Sequence, residues 1–171
     1  MIVDEVEIKQ IDTIQEDLNA LSVLLIQVVE DGASLGFLSP LIRSEAINYW
    51  ENVINPEVIL YTAMINRQIV GSVQIHFCTK KNGEHRVEIA RLMTHPNYRR
   101  RGIGQLLMKK AEEDVKLAGK SLIVLDTREG DPSNRLYTSL GYIQAGRIPN
   151  YAKSSNGELH ATIYYYKDLN A

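Results

Sequence analysis

The most chemically pointed stretch of this chain is Arg99-Arg100-Arg101-Gly102-Ile103-Gly104, which lies between a strand-like run and a helix-like run. A helix start carries unpaired N–H groups and the positive end of the helix dipole, so it suits an anion. Glycines at 102 and 104 remove side chains that would hold a pyrophosphate away from those amides. The three arginines add charge at the same mouth, within reach of a nucleotide's outer phosphate. No Gly-Lys-Ser/Thr follows, so this is not a P-loop, and the third glycine of the dinucleotide fingerprint is missing. The same residues also suit a basic loop whose glycines let a helix pack closely.

Two carboxylates fall where general-base work could be done. Glu88 lies within an apolar-alternating run, and Asp126 follows the apolar run Leu122–Leu125. Ligands of α/β sheets gather at the carboxyl ends of strands, which favours Asp126 by position. Its alternative roles are a helix cap or an ion pair with Arg128 or Arg135. His95 precedes Pro96 and reads as a turn residue. The four histidines lack the spacing of paired metal ligands, and the single cysteine, Cys78, has no base beside it in sequence. No metal is expected.

These groups need a scaffold, and 171 residues suffice for one domain spanning 1–171. Val3 to Ile8 reads as a short strand. Thr13-Ile14-Gln15-Glu16 matches a capping box, and Leu18, Leu21, Leu25 and Val28 follow at helical spacing to a stop at Asp31-Gly32. A second helix runs from about Ser44 to Val53, with Ala46, Ile47, Trp50 and Val53 on one face. Strands Val58–Ile65 and Gln68–Cys78 flank the polar turn Asn66-Arg67, and Lys81-Asn82-Gly83 predicts a hairpin into a strand at Arg86–Thr94. Gly102 to Ala118 is amphipathic and stops at Gly119, and Ser121–Leu125 is a strand covered on both faces. That succession predicts a right-handed crossover between parallel neighbours. A short helix at Ser133–Leu140 and strands near Gly141–Ile148 and Leu159–Lys167 complete a mixed α/β domain.

Composition narrows the function classes. A net charge of −2 argues against a binder held on nucleic acid by charge, and one cysteine excludes an internal disulfide framework. The acidic start, Met1-Ile2-Val3-Asp4-Glu5, lacks a secretory signature, and no apolar run approaches the roughly 20 residues of a membrane span. The expectation is a cytoplasmic protein with neither nucleic-acid nor membrane partner.

Arg99-x-x-Gly102-x-Gly104, after Leu92-Met93-Thr94-His95-Pro96, resembles the acetyl-CoA motif of the GNAT acetyltransferase superfamily. Leu136-Tyr137-Thr138-Ser139-Leu140-Gly141-Tyr142 resembles its second landmark, a short helix closed by Leu-Gly-aromatic, and the order of elements agrees over nearly the whole chain. The resemblance implies an α/β (α+β) fold with a mixed, mostly antiparallel central sheet of about seven strands flanked by about four helices. Three further segments, Asp31–Phe37, Cys78–Gly83, and Ile148–Tyr151 with Asn156–His160, look like parts of the tabtoxin-resistance acetyltransferases, which acetylate an amine of a β-lactam toxin.

The implied reaction moves an acetyl group from acetyl-CoA to the amine of a small molecule. By resemblance, Leu92, Met93 and Thr94 run beside the pantetheine, and Arg99 to Arg101, Gly102, Ile103, Gly104 and Gln105 hold the pyrophosphate. Many members carry an asparagine about seven residues before the tyrosine; here that position is Gly130, which puts that contact in doubt. Asn134 or Asp131 would contribute a cofactor contact of a different kind, since Asn134 is too close to Tyr137 to stand in for the usual asparagine. A backbone N–H near Leu92 or Met93 would meet the thioester carbonyl. In Val87–Met93 the alternation slips, since Leu92 and Met93 are adjacent apolar residues. A bulge would produce this, as would a strand buried on both faces, and from sequence the second fits better. Tyr137 is the expected acid for the departing thiolate, because a phenol stays protonated at neutral pH. Glu88 or Asp126 takes the amine's proton or binds the ammonium. Phe37, Trp50, Tyr151 and His160 are candidates for the acceptor wall, though ordinary core packing suits the aromatics equally. The competing reading is a non-catalytic acetyl-CoA-binding sensor or assembly domain. The resemblance also implies that a homodimer can form.

Overall fold

A computed structural model describes residues 5–170; the first part of the expected Val3–Ile8 strand therefore lies outside the described residues. The chain runs β1 (Glu7–Ile11), α1 (Leu18–Glu30), α2 (Arg43–Glu51), β2 (Val58–Ile65), β3 (Gln68–Phe77) and β4 (Arg86–Thr94). It continues through α3 (Ile103–Leu117), β5 (Leu122–Arg128), α4 (Ser133–Ser139), β6 (Ile143–Lys153) and β7 (Leu159–Asp168). The strands form one seven-stranded sheet in the order β1-β2-β3-β4-β5-β7-β6. Every neighbouring pair is antiparallel except β4 and β5, which are parallel with α3 between them in sequence. The expected mixed, mostly antiparallel sheet with four helices is what forms. No helix among the described residues is long and apolar enough to cross a membrane.

Turn chemistry explains the element boundaries. Asn66 and Arg67 have φ of 50° and 65°, the paired positive angles of a two-residue turn whose twist matches the strands it joins. Helix α1 stops where Gly32, at φ 95°, lets the Ala33 N–H reach back to the Val28 carbonyl at 3.0 Å. Two expectations fail. The capping box at Thr13 does not form: α1 begins at Leu18, and its N-cap, Asp17, makes no side-chain cap hydrogen bond. Ile11 and Ile14 are both buried in the core beneath α1, and keeping them there holds residues 14–17 in a turn. Nor do Lys81-Asn82-Gly83 make a tight hairpin; they form a single 3-10 turn inside a longer connection.

Two cores cover the two faces of the sheet. Ile103, Leu107, Met108, Ala111 and Val115 of α3 pack with Val87, Ile89, Ile123 and Leu125. Leu21, Leu25 and Val28 of α1 and Trp50 of α2 pack on the opposite face with Leu60 and Met93. Alternate residues of each strand therefore look at opposite layers. That alternation puts Gln74, His76, Glu88, Val124 and Asp126 on the α1–α2 face.

Candidate active site

The site begins at a split in the sheet. β4 and β5 stay in register only from Arg86↔Leu122 to Glu88↔Val124, while both strands run on beyond that point. Just past the split β4 changes step. Ser72 pairs with Met93 and Gln74 with Ala90, so Val73 alone faces both Arg91 and Leu92. This is a β-bulge, with Arg91 at φ 57°. It accounts for the slipped apolar pattern: Leu92 packs toward the α3 core and Met93 is buried in the α1–α2 core. The sequence reading favoured a strand buried on both faces, and the bulge replaces it.

A cleft of about 400 Å³ opens at this split, lined among others by Glu88, Leu92, Asp126, Tyr137, Tyr151 and His160. The sequence separated these residues widely, and the fold brings them to one cavity. Asp126 Oδ2 accepts a hydrogen bond from the Thr162 hydroxyl at 2.7 Å, and Arg128 instead pairs with Asp131 at 3.0 Å. The Glu88 carboxyl is open to the cleft yet backed by protein, which pushes its pKa up; the charge of Asp126 adds to that rise and Arg91 opposes it. Tyr137 is 5% exposed, and burial first, then the Asp126 charge, pushes its phenol pKa up. Tyr142 and Tyr165 hold its ring at centroid distances of 5.8 and 5.9 Å. Tyr164 shares the face of Asp126, its register partner; its hydroxyl lies 3.1 Å from that of Tyr151 and its pKa is pushed up to about 12 by that hydrogen bond first. His160 Nδ1 lies 2.6 Å from the Ser154 hydroxyl.

Three arginines fasten the loop from residue 31 to residue 37 over this cleft. Arg99 pairs with Asp31 at 2.6 Å, Arg128 donates to the Gly32 carbonyl at 2.7 Å, and Arg91 donates to the Leu35 carbonyl. Arg128 also donates to the Ser154 hydroxyl at 3.1 Å, joining the loop to the β6–β7 hairpin. Of the three segments with the narrower resemblance, two border the cleft. The Cys78–Gly83 segment does not; Cys78 instead sits 3.5 Å from Arg86.

The turn before α3 suits an anion. Gly102, at φ 77°, caps α3 without any side-chain hydrogen bond to the helix start, and a Cβ there would meet nothing within 4 Å. The first N–H groups of α3 are thus left for a ligand, beside exposed Arg100 and Arg101; the latter's guanidinium lies 4.9 Å over the Tyr98 ring. Ile103 is buried, so its side chain cannot take part, and only its backbone faces the turn. Gln105 is exposed one turn on. Gly104 also meets a packing constraint: a Cβ there would come 3.2 Å from Leu136 Cδ2, so this glycine lets α3 pack on α4. Gly102→Ala forces an L side chain into the left-handed region, at about 1–2 kcal/mol. The expected result is a lower melting temperature together with roughly ten-fold weaker acetyl-CoA binding by calorimetry.

Two predicted site residues leave the list. Trp50 is fully buried in the α1–α2 core, edge-to-face with Tyr49, and lines no cleft. Asn134 spends its amide on the Arg128 and Asp131 carbonyls, both at 2.9 Å, and its Oδ1 accepts from Tyr165 at 2.7 Å. It fastens α4 to β5 and β7 and lines neither cavity. Phe37 lines a neighbouring chamber of about 670 Å³ that shares His76 and Arg91 with the cleft. His95 is a turn residue, its Nδ1 accepting from the Asn97 N–H at 3.1 Å. Sequence reasoning missed His76, Arg91, Thr162 and Tyr164; strand register would have revealed three of them, and register is not written in one strand's pattern. Among the described residues no group of three or more His, Cys, Asp or Glu is placed to hold a metal ion.

Known proteins give the same picture. The chain is 30% identical over 130 residues to an uncharacterized N-acetyltransferase from the hisH–hisA intergenic region of Azospirillum brasilense, covering 73% of this chain and 77% of that one. Its fold matches an N-acetyltransferase of Staphylococcus aureus Mu50 with a TM-score of 0.81 at 17% identity, over 95% of this chain and 99% of the other. It also matches a Salmonella typhimurium protein solved with its cofactor acetyl-CoA, with a TM-score of 0.79 at 17% identity, over 96% and 94% of the two chains. The Acetyltransferase (GNAT) family profile matches residues 18–142, most of the chain, and the protein belongs to that family of acetyl-CoA-dependent N-acetyltransferases.

Proposed function

We propose that the chain transfers an acetyl group directly from acetyl-CoA to the amine of a small molecule, of the kind represented by an amino-bearing β-lactam toxin. The observation that carries this reading is the placing of proton acceptors and a proton donor on opposite sides of the split. Glu88 and Asp126 lie on the α1–α2 face, while Tyr137 comes from α4 on the other side. The cleft's volume is of the size that takes small ligands, and the loop tied down by Arg91, Arg99 and Arg128 limits access for a larger acceptor.

Acetyl-CoA supplies an acyl group activated as a thioester. The two carboxylates hold the acceptor's ammonium by charge. Glu88, with its pKa above the ordinary glutamate range, is basic enough to draw the proton and leave a neutral amine for attack. A backbone N–H at the Arg91–Leu92 bulge donates to the carbonyl oxygen as negative charge gathers there. Tyr137 keeps its proton at neutral pH and gives it to the sulfur as the C–S bond breaks. The ammonium nitrogen loses two protons in all, one to Glu88 before attack and one as the tetrahedral adduct collapses; one of them replaces, by way of water, the proton Tyr137 gives the sulfur, and the other leaves to solvent. Two of the toxin-resistance-like segments border the acceptor side of this cleft, which supports the β-lactam reading. A homodimer belongs to the same reading: edge strand β6 leaves Ile143, Ile148 and Tyr151 exposed, an apolar row a second copy could cover.

The pH dependence tests the base. The active form of Glu88 is the carboxylate, so kcat/KM rises with pH through a step lying above the ordinary glutamate range. Glu88→Gln is expected to erase that step and to slow the reaction about 10²-fold or more at neutral pH. A step that persists unchanged in the variant would move the base to another group.

A further inference from the structure

We infer that Arg91 is a specificity-determining residue, selecting acceptors that carry an anionic group near the amine. This rests on the transferase reading above and deepens it. Arg91 lies at the bulge that carries the split, and it lines both the cleft and the adjoining chamber. Its guanidinium is 6.0 Å from the ring centroids of both Phe37 and Tyr49, so two aromatic rings stand beside it. It donates to the Leu35 carbonyl, and among the described residues it makes no ion pair. A guanidinium offers five N–H donors, and this half-buried one feels the Glu88 charge without a direct carboxylate contact, which leaves donors for a ligand. The arrangement suits a ligand that brings its own anion.

The neighbouring groups divide the work by charge. Glu88 and Asp126 form the anionic end of the cleft, where the amine sits. Arg91 follows Glu88 by three positions on the same strand, about 10 Å along the backbone before the bulge and the side chains shorten the gap. An amine and an anion separated by a few bonds can therefore touch both ends together. The planar fork of arginine matches a carboxylate or a phosphate with two parallel hydrogen bonds, which a lysine cannot do. His76 and Gln74, joined at 2.9 Å, and Tyr49, which accepts from Gln74 at 2.9 Å, provide polar lining beyond Arg91 for the rest of such a molecule.

The test is thiol-release kinetics with acetyl-CoA on matched amines: lysine, lysinamide and 1,5-diaminopentane as the carboxylate arm, O-phosphoethanolamine and ethanolamine as the phosphate arm. In the wild type, the anionic member of at least one arm should exceed its neutral counterpart in kcat/KM by about ten- to a hundred-fold, the range of a charge-assisted hydrogen bond. Whichever arm shows the preference identifies the anion. In Arg91→Gln that ratio should fall close to one, mainly through KM, and Arg91→Lys should restore only part of it. A role confined to holding the loop would slow anionic and neutral amines equally and leave the ratio unchanged. The wild-type ratio is read without any variant, so poor folding of Arg91→Gln does not spoil the test. Equal turnover of anionic and neutral amines by the wild type overturns the inference and leaves the transferase reading standing. Absence of turnover on every amine overturns both.

Discussion

Tyr137→Phe is expected to lower kcat by about 10²–10⁴-fold while acetyl-CoA binds with near wild-type affinity. The phenylalanine keeps the ring that packs against Tyr142 and Tyr165, so the cleft retains its shape. Only the hydroxyl is lost, and with it the proton that the departing sulfur needs. Burial makes this group a better proton keeper than a free phenol, because the ionised form would sit in a cavity already facing the Asp126 carboxylate. The loss should appear in kcat and kcat/KM alike, the signature of an interaction made only as the bond breaks. Cofactor affinity by calorimetry and thiol release on the same preparation separate the outcomes. Full turnover in the variant would mean that water protonates the sulfur and that Tyr137 is a packing residue.

The largest effect on stability is expected at Trp50. Trp50→Ala should cost about 3–5 kcal/mol, the usual range for emptying a buried indole site. The residue is fully buried where α1 and α2 meet the sheet, and it supports Tyr49, whose ring lies 5.0 Å from that of Phe37. Its indole nitrogen has no hydrogen-bond partner, so truncation also removes an unsatisfied donor and the cost falls toward the lower end of that range. For a chain of this size the melting temperature should drop by roughly 10 °C. Urea unfolding should show a lower midpoint with an unchanged slope. A change below about 1 kcal/mol would contradict the buried placement.

Trp50 also shows what a single sequence reveals and where it misleads. Its spacing with Ala46, Ile47 and Val53 put it on one helical face, and that face is the buried one. A role at the acceptor wall came from its residue type, and packing overrides it. Strands β2, β3 and β4 were legible because turn residues and alternation mark their limits independently of the rest of the fold. The start of α1 was not, because burial of Ile11 and Ile14 outweighs a local cap. Asn134 looked available because the sequence does not show that Tyr165 and two carbonyls hold its side chain in place, away from the cleft lining.

The candidate site was legible where local chemistry defines it. Gly102 marks a left-handed turn at a helix start, and Tyr137, Glu88 and Asp126 were singled out one by one. Their meeting in one cleft depends on β4 and β5 parting after Glu88 and Val124, a property of long-range pairing. The bulge at Arg91 was visible only as a slip in alternation, and two structures could produce that slip. His76 joins the site, and Tyr164 backs its Tyr151, through register with Glu88 and Asp126, which is set between strands rather than within them.

The most direct test of the central claim is to measure acetyl-CoA binding and thiol release in one experiment, with purified protein and a panel of small primary amines that includes an amino-bearing β-lactam. The account predicts saturable acetyl-CoA binding and amine-dependent thiol release with at least one member, the product carrying one acetyl group on nitrogen by mass. Binding without release on any amine would favour a cofactor-sensing domain, and failure to bind acetyl-CoA would contradict the account altogether.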